Sequence, residues 1–208
     1  MSGLRARQKA DRNRRMLEAA SRLFREQGYG AARIEDIAAA ADVSVGTFYN
    51  YFGTKGDVLL ATVSMEVEEV LSQGSALLAA PPKSLTAALN GLIGGYYAHS
   101  LVYLTKEMWR TAMALSIEAP DSPFSRRYTE LDGLLCDQVC GLITRLQASG
   151  QISATCDARA IGEVLFNNLN MMFMEFVRDE AMSLDYLLSS VSRQNSALAL
   201  LMTAGAKH

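Results

Sequence analysis

The chain has 208 residues, half of them apolar and a fifth charged, with a formal net charge of −2. This composition excludes a disordered or low-complexity protein, and the length allows one or two domains with a substantial core. The charge is uneven: residues 1–58 carry ten Lys/Arg against seven Asp/Glu, and residues 59–208 carry ten against fifteen. A basic front on an acidic body fits a polyanion partner for the front, and equally a solvated charged helix.

Met1–Lys9 is polar and basic with no apolar stretch behind it, so no signal peptide is expected. Met16, Leu17, Ala20, Leu23 and Phe24 then share one helical face, while Arg12, Arg14, Arg15, Arg22 and Arg25 fill the others. Gly28 and Gly30 end this helix. Ile34, Ile37, Ala38 and Ala41 repeat the pattern over a short second helix, with Glu35 and Asp36 in its positive first turn. Asp42-Val43-Ser44 makes a break, Ser44 is a good N-cap for a third helix over Val45–Phe52, and Gly53 ends it. Thr54-Lys55-Gly56-Asp57 has the spacing of a capping box and opens a longer helix carrying Val58, Leu59, Val63, Val67, Val70 and Leu71.

The adjacent Pro81 and Pro82 mark Ala79–Lys83 as a linker, because the residue before proline avoids the helical region. Beyond it the spacing predicts helices over Leu85–Leu101, Tyr103–Ile117, Ser125–Ala148, Asp157–Val177 and Ser183–Thr203. Ser84–Thr105 has no charged residue, but Asn90, His99 and three internal glycines make it a buried core helix and not a membrane span. No segment alternates with period two for the length of a strand. The expected fold is all-α.

Two short helices joined by a tight turn form a helix-turn-helix, whose second helix can enter the major groove. Phe48 and Phe52, one turn apart, would face the core with Ile37 and Val43. Val45, Gly46, Tyr49 and Asn50 are left facing outward, where an Asn can pair with adenine and a valine can meet a thymine methyl. By pattern alone a structural αα-hairpin is also open. Gly28-Tyr29, Ile37-Ala38, the run Ala41-Asp42-Val43-Ser44-Val45-Gly46-Thr47-Phe48-Tyr49-Asn50-Tyr51-Phe52, and then Lys55 and Leu59 resemble the N-terminal signature of TetR-type transcriptional regulators. The resemblance covers about residues 12–60 and implies an N-terminal three-helix DNA-binding domain, residues 1–58, and a helical effector-binding and dimerisation domain, residues 59–208.

The resemblance implies that Val45, Gly46, Tyr49 and Asn50 approach bases and that Thr47, Tyr51 and Lys55 hold phosphates. On that footing Lys55→Ala should make the slope of log affinity against log salt shallower by about 1.8 in a dimer. Two positions depart from the usual pattern. Arg33 stands where Ser or Thr commonly caps the second helix, leaving a weaker cap or a phosphate contact. Asp42 replaces the usual turn glycine, although Asp tolerates the left-handed region better than most residues. Arg5, Arg7 and Lys9 would form an arm near the DNA, or a solubilising tail.

For the body the resemblance implies a small-molecule site and a dimer face. Val164, Leu165, Leu169, Met172, Phe173 and Phe176 form one apolar stripe; Leu184, Leu187, Leu188, Val191, Leu198, Leu201 and Met202 form another, and a two-chain four-helix bundle would bury both. Tyr96, Tyr97, His99, Tyr103, Met108, Trp109, Met113 and Phe124 gather aromatic and methionine side chains suited to an apolar pocket, though each alone also suits a core. Gly91, Gly94 and Gly95 permit either a bend or a close neighbour. Cys136 and Cys140 read as buried structural thiols, and Met171, Met172 and Met174 as adaptable packing. Three cysteines make no disulfide framework and fit a cytoplasmic protein. One interior histidine, no HxxxH or ExxH and no phosphate-binding glycine loop argue against an enzyme, a metal site or a cofactor. The expectation is a dimeric repressor bound to a palindromic double-stranded DNA operator, released by a small apolar or amphipathic effector and unconnected to membranes.

Overall fold

The computed structural model describes residues 2–204, apart from the side chains at positions 2, 4, 5 and 204. Among them are nine helices and no strand: α1 (Ser2–Gln27), α2 (Ile34–Ala40), α3 (Val45–Tyr49), α4 (Lys55–Ala79), α5 (Leu85–His99), α6 (Lys106–Glu118), α7 (Pro123–Ala148), α8 (Ala158–Arg178) and α9 (Leu184–Ala204). The all-α reading holds. Among the described residues no helix is long and apolar enough to cross a membrane.

Local chemistry accounts for most helix starts. The hydroxyls of Ser44, Ser84 and Thr105 and the carboxylate of Asp157 each accept the backbone N–H three residues on. Thr54 and Asp57 form the reciprocal box, Thr54 N–H donating to Asp57 at 2.8 Å and Asp57 N–H to Thr54 Oγ1 at 3.1 Å. Helix α7 opens at Pro123, where a missing N–H costs nothing.

Two helices differ from expectation. Helix α1 begins at Ser2, because Ala6, Gln8, Lys9 and Ala10 are good helix formers with no breaker among them, so Arg7 and Lys9 stand on α1 and not in an arm. The side chain of Arg5 lies outside the described residues. Helix α3 stops at Tyr49 and not at Phe52, since its last turn tightens, with Tyr51 N–H donating to Phe48 O at 2.9 Å.

The chain divides into two compact units. The first holds the residues up to Glu66 together with Val102–Tyr128; the second holds Val67–Leu101 and the residues from Thr129 onward. In the first, Met16, Phe24, Ile37, Phe48, Leu59, Leu104 and Met108 are fully buried. Polar bonds tie segment 102–107 to α1: Ser21 Oγ donates to Tyr103 O and Arg25 to Val102 O, both at 2.5 Å.

In the second unit α9 packs on α5 and α8. Leu165, Leu169, Met172 and Phe173 of α8, and Leu187 and Val191 of α9, are already buried inside one chain. They were expected at a dimer face, and packing within one chain already buries them; the large apolar side chains left exposed on α8 and α9 are Val164, Met171, Tyr186, Leu200 and Leu201. Leu198 is half-buried. A Cβ at Gly91 would come within 2.8 Å of Leu77 Cδ1, so that glycine admits a close neighbour. Gly162 is tighter still: its Cβ would meet Cys140 Sγ at 2.5 Å and Cα at 2.6 Å. Burial and the neighbouring Cys140 push the Cys136 thiol up to about 11, which makes it a poor nucleophile near neutral pH.

Candidate nucleic-acid interface

The turn between α2 and α3 is set by Asp42, whose φ of 55° lies in the left-handed region. It redirects the chain so that α3 starts from Ser44, which accepts Thr47 N–H at 3.0 Å and lies 2.8 Å from Thr47 Oγ1. Phe48 (0% exposed) and Phe52 (6%) then face inward, their rings 5.5 Å apart. Because side chains of a short helix diverge by about 100° per residue, burying Phe48 forces its neighbours outward. Gly46, Tyr49 and Asn50 are exposed, and Val45, Thr47 and Tyr51 are half-buried. Tyr49 shows 49% of its surface, stiffened by an edge contact with Phe48 at 6.4 Å. The four positions expected to approach bases therefore lie on one short outward face.

Arg15, which sequence reasoning placed only among solvated arginines, supports this unit. It donates to Ala41 O at 3.0 Å and so caps the C-terminal end of α2. Arg33 precedes α2 with no side-chain cap bond, and its Nε lies 3.4 Å from Glu35.

Lys55 makes contacts within the chain that the sequence did not signal. Its ammonium donates to three backbone carbonyls, Tyr29 O at 2.7 Å, Gly30 O at 2.9 Å and Ala32 O at 3.2 Å, and it stands 4.7 Å above the centre of the Tyr29 ring. An ammonium has three donors, and these three bonds occupy them in the free chain. Lys55 thus pins the turn after α1 to the start of α4. Tyr29 N–H is held from the other side by Glu107 of α6 at 3.2 Å. Nothing local in the sequence signals these two bonds, which join residues 26 and 78 positions apart.

The residues expected to line a pocket divide between the units. Tyr103, Met108, Trp109, Met113 and Phe124 belong to the first, with Met108 and Trp109 buried and Phe124 stacked on Tyr128. Tyr96, Tyr97 and His99 belong to the second, and their polar ends already have protein partners. Tyr96 donates to Gln138 Oε1 at 2.6 Å, Tyr97 donates to Leu169 O at 2.8 Å, and His99 Nε2 lies 3.1 Å from Glu69. Burial holds both phenols well above the usual tyrosine range.

Residues 16–62 match the family model of bacterial regulatory proteins, tetR family. The HTH-type transcriptional regulator HbdR of Aromatoleum sp. (strain CIB) is 45% identical over 53 residues, covering 26% of this chain and 23% of that protein, so the match spans about a quarter of the relative's length. Over nearly the whole chain the likeness is one of fold. A TetR-family regulator from Syntrophomonas wolfei superposes with a TM-score of 0.69 at 21% identity, over 92% of this chain and 96% of that one. Thermus thermophilus FadR, a TetR-family transcriptional repressor solved with lauroyl-CoA, gives 0.63 at 23% identity, over 90% and 93%. With the turn-and-cap geometry of residues 42–57, these likenesses show that residues 16–62 resemble the N-terminal region of the tetR family of bacterial regulatory proteins, in a chain whose all-helical fold is similar to that of solved TetR-family regulators.

Proposed function

We propose that the chain is a dimeric transcriptional repressor that binds a palindromic DNA operator through α3 and leaves it when a small apolar or amphipathic effector binds the body. The observation that carries this reading is the outward face of α3, where Val45, Gly46, Tyr49 and Asn50 are displayed by the burial of Phe48 and Phe52. An exposed Tyr and Asn beside a valine suit a major groove. The protein would act by binding and not by catalysis.

The dimer face in this reading is narrower than the sequence implied. Val164, Leu198, Leu201 and Met202 line an almost wholly apolar cleft of about 310 Å³ along α8 and α9, and Leu200 and Leu201 are 72% and 75% exposed. A second copy would cover this patch, as apolar faces of this kind seldom stay bare. For the effector, the lauroyl-CoA held by Thermus FadR supports an acyl-chain compound. Trp109, buried in the first unit, offers a fluorescence reporter for its binding.

Selection of bound sites from a random DNA pool, run beside sedimentation of the free protein, tests the reading. A palindromic motif whose half-sites lie about one helical turn or a little more apart, from a protein sedimenting as a dimer, is expected. Recovery of no motif, or a monomer at micromolar concentration, would overturn it.

A further inference from the structure

Within the second unit, α5 and α9 bound a partly enclosed cavity of about 190 Å³. Asn90, Gly94 and Tyr97 line it from α5, and Ser192 and Asn195 with two aliphatic side chains line it from α9. No lining residue is an Asp, Glu, Lys, Arg or His. Three of them form a chain of hydrogen bonds: Asn195 Nδ2 donates to Asn90 Oδ1 at 3.1 Å, and Asn90 Nδ2 donates to Ser192 Oγ at 2.8 Å. The chain ends on Asn195 Oδ1, which has no hydrogen-bond partner although Asn195 is only 1% exposed. Buried amide oxygens are nearly always paired, because leaving one bare forfeits its hydration without return. Exchanging O and N in both amides does not help, since the orphan then becomes the Asn195 nitrogen.

We propose that this cavity binds a small uncharged alcohol or phenol, with its hydroxyl on the Asn195 amide and its hydrocarbon against Gly94 and the Tyr97 ring. A hydroxyl both donates and accepts, so it satisfies Asn195 in either amide orientation. The absence of charge in the lining disfavours carboxylates and phosphates, which would be stripped of water without a partner. Size points the same way: a cavity of about 150 Å³ suffices for benzene, whereas one water takes about 30 Å³. Gly94 leaves room for the ring, and a Cβ there would meet only an ordinary contact at 3.6 Å. The proposal rests on the reading that the body binds a small molecule, and names a chemistry for one cavity of it that does not depend on DNA.

Calorimetric titration of the full chain with phenol, benzene and benzoate tests the site. Phenol should bind saturably and on the order of tenfold tighter than benzene, the increment of one hydrogen bond, and benzoate should not bind. Gly94→Leu should fill the cavity and abolish phenol binding. Asn195→Leu should erase the preference for phenol over benzene, and it decides the matter if Gly94→Leu does not fold by circular dichroism. Equal affinity for phenol and benzene, no saturable phenol binding, or phenol binding untouched by either variant would overturn the site. A chain that binds operator DNA but no phenol overturns this site alone; one that binds phenol but selects no operator overturns the regulator reading alone.

Discussion

The α3 face and the α5–α9 packing are held together by different means. Around α3 many of the important bonds are short in sequence: Ser44 to Thr47, Phe48 to Phe52, Thr54 to Asp57. Around α9 they span the chain, Asn90 to Ser192 and Asn90 to Asn195, with Tyr97 reaching Leu169. The first arrangement fixes a direction for a few exposed side chains. The second fixes the approach of whole helices, and leaves a polar-ended void between them. Surface changes on α3 should therefore alter what is recognised at little cost to folding, whereas changes in the second unit should alter folding and leave recognition alone.

The largest effect that sharpens this contrast is expected at Gly162. Cys140 backbone stands where an added Cβ would go, so Gly162→Ala must push α7 and α8 apart. Overpacking of this kind costs about 1–3 kcal/mol, occasionally more. Urea denaturation should show that loss while the selected DNA motif stays the same; unchanged stability would remove the close contact from the description.

Lys55 lies in the same unit as α3 yet is held by long-range bonds, so it tests the contrast from the other side. Lys55→Met should lower stability by roughly 1.5–3 kcal/mol, the range for hydrogen bonds to a charged group. The salt dependence of DNA affinity should stay nearly constant, because the ammonium serves carbonyls. A slope shallower by about 1.8 with stability unchanged would restore Lys55 to the phosphate role the sequence implied.

The legible parts of the sequence were those whose physics is local. Ser44, Thr54 with Asp57, Ser84, and Asp42 in the left-handed region all act within a few residues, so spacing revealed them. The alternation of Phe48 and Phe52 with Tyr49 and Asn50 likewise gave the outward face. The apolar stripes on α8 and α9 were visible as stripes, but periodicity says only that something covers a face. That α9 packs on α5 within one chain depends on contacts about a hundred residues apart, such as Asn90 to Ser192. The bonds of Lys55 were illegible for the same reason, its partners being carbonyls that carry no sequence signature. Asn90 did stand out as a polar residue in an uncharged helix, but only the structure pairs it with Asn195.

The most direct test of the outward face of α3 is operator selection with Asn50→Ala and Tyr49→Ala beside the unaltered chain. Each side-chain contact to a base edge discriminates by about 1–3 kcal/mol, so both variants should fold normally and return motifs relaxed at one position in each half-site. An identical motif from all three proteins would contradict base reading by this face.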